Sequence, residues 1–84
     1  MHYFYITRSQ DSTLYVGITN NPQSRINRHN EGQGSEWIKQ HGQSVIVYTE
    51  EYPTYIEARK REIQVKKWSR QKKENLISGK WGKR

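Results

Sequence analysis

The part of this chain that most limits its fold is its beginning. His2 to Thr7 and Leu14 to Thr19 are rich in aromatic and β-branched residues, and the intervening RSQDST is polar turn material. Two such runs around a short polar loop read as the antiparallel strands of a hairpin. The hairpin constrains chemistry as well as shape, because it brings Tyr5 and Tyr15 close in space. Strand tyrosines usually pack, with the hydroxyl at the surface. A phenol, with an ordinary pKa of about 10, acts as a base only beside a cation or metal that favours phenolate.

The rest of the chain carries its own punctuation. In NNPQSRINRHNEG, Asn21 is placed to cap a helix, Pro22 to open it and Gly32 to follow its end. The segment GQGSEWIKQHGQ has three glycines and no sustained period, so it reads as a loop with a helical turn at Ser35 to Gln40. SVIVYTEEY is a β-branched third strand closed by Pro53. Thr54 and Glu57 form a capping box for a helix running to about Trp68. Ser69 caps a last helix, Gln71 to Ser78, ended by Gly79, and the tail KWGKR reads as frayed. The order β-β-α-β-α-α implies one α/β (α+β) domain over residues 1–84, a small three-stranded sheet with flanking helices and a basic tail from about 79 to 84.

Charge is divided unevenly along the chain. Residues 1–57 hold Arg8, Arg25, Arg28 and Lys39 against Asp11, Glu31, Glu36, Glu50, Glu51 and Glu57, a net of −2. Residues 58–84 hold eleven basic residues against Glu62 and Glu74, a net of +9. Such a block reads as a polyanion-binding surface or as a solvated basic face, and nucleic acid is the favoured partner. Arg28, Lys66, Lys67, Arg70, Lys72 and Lys73 are its candidate contacts. Trp68 among them could stack an unpaired base or belong to the core. With no cysteine in the chain, disulfides, zinc ribbons and thiol nucleophiles are excluded. No apolar run is long enough to span a membrane and the N-terminus lacks a signal-peptide pattern, so a soluble cytoplasmic protein is expected.

On the helix opening at Thr54, a period of 3.6 groups Ala58, Glu62, Val65 and Ser69 on one stripe. A carboxylate on a largely apolar stripe is costly unless paired, protonated or bound to a cation. Glu62 therefore reads as a functional acid, as the partner of Arg25 or Lys66, or as simply exposed on a narrow stripe. Arg25 and His29, four apart, share a face of the first helix. An arginine fork can hold two phosphate oxygens at once, so it invites a phosphodiester site beside an inward acid.

Taken together, Tyr3-Phe4-Tyr5, Tyr15-Val16-Gly17, the Arg-x-x-x-His-Asn helix and the Ala-x-x-x-Glu-x-x-x-Lys helix resemble the GIY-YIG nuclease superfamily, in its minimal single-domain URI-type form. The resemblance runs from Tyr3 to Ile77, with Tyr3 standing where the first element usually has glycine. It implies an α/β fold with one divalent-metal site, magnesium or manganese, that cleaves phosphodiesters, and a DNA endonuclease of low sequence specificity in a repair or recombination setting is expected. By the same resemblance Tyr5 and Tyr15 are the active-site phenols, Arg25 the phosphate-binding cation, His29 a supporting polar residue and Glu62 the metal ligand. Asn75 is a loose match to a late asparagine. Single-stranded, branched or damaged DNA is the expected substrate, with RNA not excluded, and a noncatalytic nucleic-acid-binding module on the same scaffold is the competing reading.

Overall fold

The computed structural model describes residues 1–28, 30 and 35–79. Strands β1 (His2–Ser9), β2 (Leu14–Thr19) and β3 (Ser44–Tyr52) form one antiparallel sheet in the order β2-β1-β3. Helices α1 (Pro22–Arg28) and α2 (Ser35–His41) fall between β2 and β3, and α3 (Tyr55–Lys66) and α4 (Arg70–Ser78) follow β3. The expected α+β architecture is present. No helix among the described residues is long and apolar enough to cross a membrane.

Alternation along the strands sorts the side chains. Phe4, Ile6 and Val16 turn to one face and, with Val65 of α3, form the buried core. Trp68, Leu76 and Ile77 close over it from α3's end and α4. Phe4 is fully buried, so its truncation to Ala would cost about 3–5 kcal/mol. The pairing of β1 with β3 shifts register between Ile6 and Thr7: Ile6 faces Tyr48 and Thr7 faces Ile46, so Val47 is the extra residue.

The caps are where the side chains predicted them. Asn21 Oδ1 accepts from the Ser24 N–H, Thr54 Oγ1 from the Glu57 N–H, and Ser69 Oγ from the Lys72 N–H. Gly79 ends α4 in the left-handed region at φ 76°. The element order departs from expectation in one place, because α2 is a full helix rather than a single turn, giving β-β-α-α-β-α-α. Its C-terminal end is held by the hairpin loop. The Asp11 N–H donates to His41 O, the Gln10 N–H to Gln43 O, and Gly42, at φ 83°, lies so close to Gln10 that a Cβ would fall 2.4 Å from its Oε1. Three boundaries also move. β1 runs on to Ser9, α4 starts at Arg70, and α3 stops at Lys66, because Ser69 needs an extended backbone, φ −68° and ψ 166°, to cap α4. The Gly32 stop signal and the tail from Lys80 to Arg84 lie outside the described residues.

Two polar clusters fasten the helices to the sheet. Arg61 of α3 grips Glu50 of β3 through Nε and Nη2 at 3.0 and 3.1 Å, while its guanidinium lies 5.2 Å from the centre of the Trp68 ring. Tyr48 and Tyr52 donate their hydroxyls to the same carboxylate. Burial alone would raise the Glu50 pKa, but the hydrogen bonds from Arg61 and the two tyrosines outweigh it and hold it below the ordinary value. Arg8 of β1 meets Glu74 of α4 as a bidentate pair at 2.8 and 2.9 Å.

Candidate active site

The pairing of β1 with β2 sets Tyr5 opposite Gly17 and Thr7 opposite Tyr15. The two tyrosines are therefore diagonal neighbours, at a spacing that long aromatic side chains can bridge. Their ring centroids are 6.4 Å apart, with the planes tilted by 42°. Gly17 makes this approach possible: a Cβ there would fall 2.7 Å from Tyr5 Oη and 3.2 Å from Tyr15 Cε2. The Tyr5 ring thus lies across bare backbone on β2, and the residue is only 3% exposed, whereas Tyr15 is 40% exposed.

Arg25 comes from α1, which starts immediately after β2 and is fixed at its N-terminus by the Asn21 cap. Thr19 adds to this junction, its hydroxyl accepting from the Asn21 N–H at 3.2 Å. The exposed Arg25 guanidinium is electrostatically coupled to both phenols. The Tyr5 phenol, followed by that of Tyr15, raises the guanidinium's pKa further. For Tyr5 itself burial acts first and raises the pKa, the Arg25 charge opposes it, and the net result lies above the ordinary value. Tyr5 is accordingly a protonated hydrogen-bond donor at neutral pH.

Glu62 is 5% exposed and shares the buried stripe of α3 with Ala58 and Val65. Its oxygens are occupied from either side by Arg59 Nη1 at 2.7 Å and Lys66 Nζ at 3.2 Å. The pair with Lys66 was one alternative offered by the sequence, and the pair with Arg59 is new. Arg25 does not bridge to Glu62 and turns to the phenols instead. Tyr5 nonetheless feels the Glu62 charge, which raises its pKa. Tyr5, Tyr15, Arg25 and Glu62, from the hairpin and two helices, are thus electrostatically coupled through Tyr5. Among the described residues no group of three His, Cys, Asp or Glu side chains could hold a metal. A hard divalent cation that keeps most of its waters needs only one or two carboxylates plus phosphate, and the half-exposed Arg59 and Lys66 can swing away from Glu62.

The remaining expected residues are scattered. His29 lies outside the described residues. Asn75 is half-buried on α4, its side-chain oxygen accepting from Gln71 one turn back. Arg28, Lys66, Lys67, Arg70 and Lys72 are exposed and Lys73 is half-buried. Arg70 pairs with Glu74, and Lys72 Nζ stands 4.6 Å from the Trp68 ring centre. Trp68 packs against the core with Arg61 and Lys72 on its ring, which favours the core reading over base stacking. Sequence reasoning noted Asn30 only as part of the Arg-x-x-x-His-Asn motif and missed both its role, an amide making two bonds to the Ser44 backbone, and that of Arg59. Arg59 was legible as the residue three before Glu62.

A family model described as the GIY-YIG catalytic domain matches residues 1–75. A UPF0213 protein of Staphylococcus saprophyticus is 44% identical over 77 residues, covering 92% of this chain and 94% of the relative. One from Staphylococcus haemolyticus is 41% identical over 76 residues, covering 90% and 93%. The solution structure of a UPF0213 protein from Bacillus halodurans superimposes with a TM-score of 0.60 at 38% identity, over 92% of this chain and 82% of that one. A solution structure from E. faecalis gives 0.64 at 31% identity, over 99% and 90%.

Proposed function

Because this chain belongs to the GIY-YIG family, a nuclease superfamily, we propose that it is a divalent-metal-dependent endonuclease hydrolysing DNA phosphodiester bonds with low sequence specificity. The observation that carries the reading is the coupling of one guanidinium to two phenols, one of which also feels a buried carboxylate. That set has the parts phosphodiester hydrolysis requires: a cation for the non-bridging oxygens, a group to orient water, and an anion able to hold a metal.

Arg25, exposed and fork-shaped, neutralises charge that builds on the phosphate as water attacks. Tyr5, kept protonated by burial, donates a hydrogen bond and fixes the position of the water or the phosphate. Tyr15, open to solvent beside Arg25, passes the water's proton outward. Glu62 would hold a magnesium or manganese ion, which supplies Lewis acidity at the phosphate and support for the departing oxygen. The basic surface of α3 and α4 carries the flanking backbone without reading bases, consistent with low specificity and a repair or recombination role.

One observation favours the noncatalytic alternative: both sides of the Glu62 carboxylate are already satisfied by Arg59 and Lys66. Nicking of supercoiled plasmid, with single-stranded, branched and RNA substrates in parallel, separates the readings. The wild-type protein cuts with magnesium or manganese and is silent in EDTA, whereas Glu62→Gln binds DNA but does not cut. Equal cutting by that variant removes Glu62 from the reaction.

A further inference from the structure

Seven residues before Glu62 on α3, Tyr55 meets His2 edge to face, with ring centroids 6.0 Å apart and planes at 76°. With Ile18, Thr19 and Asn20 these rings line a cavity of about 210 Å³. That is room enough for one planar heterocycle. An aliphatic wall, two aromatic rings and the Asn20 amide are the materials with which proteins hold an unstacked base, by ring contact and by hydrogen bonds to its edge. Tyr55 is 54% exposed, so its ring is open to a ligand.

The cavity's position gives it meaning. His2 precedes Tyr5 by three residues on β1, Ile18 follows Tyr15 by three on β2, and Tyr55 precedes Glu62 by seven on α3. At about 3.4 Å per strand residue and about 1.5 Å per helical residue, each step is about 10 Å. On the strands these odd offsets turn His2 and Ile18 to the face that carries Phe4 and Val16, away from Tyr5 and Tyr15, so of the three elements it is α3 that leads from the cavity to the cluster. Thr19 ties the cavity to a fourth, through the hydrogen bond to Asn21 at the start of the helix bearing Arg25. Arg59 stands between cavity and site, one turn after Tyr55 and one turn before Glu62, with its side chain 49% exposed. Aromatic, cation and acid therefore follow one another along a single stripe of α3.

We propose that the His2–Tyr55 cavity is a base-binding subsite, taking one unstacked nucleobase of a strand whose adjoining phosphate crosses Arg59 towards the Tyr5, Tyr15, Arg25 and Glu62 cluster. The substrate class is then nucleic acid with at least one unpaired nucleotide beside the scissile bond. The direction of the strand rests on the nuclease reading, while the subsite itself is a statement about binding. It is tested by binding of a short single-stranded oligonucleotide in EDTA, where nothing is cut, with a single abasic residue moved along its positions. Wild type loses about tenfold in affinity at one position and little elsewhere. Tyr55→Ala binds the intact strand about tenfold more weakly, loses nothing further at that position, and binds blunt duplex like wild type, while Tyr55→Phe retains the wild-type pattern. An abasic profile without such a position, an unaffected Tyr55→Ala, or an equal loss on duplex overturns the subsite. Since no cleavage is read, the result is independent of nicking by Glu62→Gln.

Discussion

Tyr5 owes its position to an absent methyl group on Gly17, because a Cβ at that residue would stand 2.7 Å from the phenol oxygen and 2.8 Å from Cζ. Gly17→Ala must therefore push a buried ring aside. We expect a loss of about 1–3 kcal/mol in stability and a fall of about a hundredfold in turnover, from displacement of the phenol. Urea unfolding set beside single-turnover cleavage measures both. A variant that cuts at the wild-type rate would show that the Tyr5 hydroxyl has no part in the reaction.

Arg59 and Lys66 compete with any metal for Glu62. Both are half-exposed, so solvent reduces each attraction to about 1 kcal/mol. Arg59→Gln and Lys66→Gln should accordingly each tighten manganese binding by about fivefold, read by electron paramagnetic resonance without DNA. Weaker metal binding in both variants would place the ion elsewhere.

The hairpin loop carries an acid-labile clip to α2. The His41 hydrogen bond at 2.6 Å, then that from Thr13, hold the Asp11 carboxyl down at about 2 from an ordinary 3.8. A depressed folded-state pKa contributes stability above pH 3.8 that is lost as pH falls towards 2. Asp11→Asn should remove that part of the acid dependence. Thermal melts of the two proteins from pH 5 to pH 2 should converge at the acid end.

Arg61 answers a largely buried acid, since the Glu50 side chain is 17% exposed. Arg61→Met removes the two-point grip and its stacking on Trp68, leaving the carboxylate to Tyr48 and Tyr52 alone. The expected cost is about 2–3 kcal/mol in urea unfolding. Restoration of that loss by Glu50→Gln would assign it to the unpaired charge.

Much of this was legible because the relevant signals are local. Asn21, Thr54, Ser69 and Gly79 announce helix ends through short-range hydrogen bonds and backbone freedom, and the structure makes those bonds. The β-branched run from Ser44 to Tyr52 gave β3 its full bounds. What escaped depends on distant partners. α2 is seven residues long and leans on a hairpin loop some thirty residues earlier, contacts that no window of sequence contains. At the site, a period of 3.6 is enough to place Glu62 on a buried stripe. The turning of Arg25 towards the phenols follows from the β2–α1 junction, and Gly17 reveals its purpose only once a strand lies beside it.

Asn30 stands in for a peptide group: its Nδ2 donates to Ser44 O at 2.9 Å and its Oδ1 accepts from the Ser44 N–H at 3.0 Å. The chain departs at residue 30 and returns at residue 44 through one fastened gate. Both ends of the interval are thereby secured by bonds to backbone, so a change of length within it need not pull on the edge of the sheet.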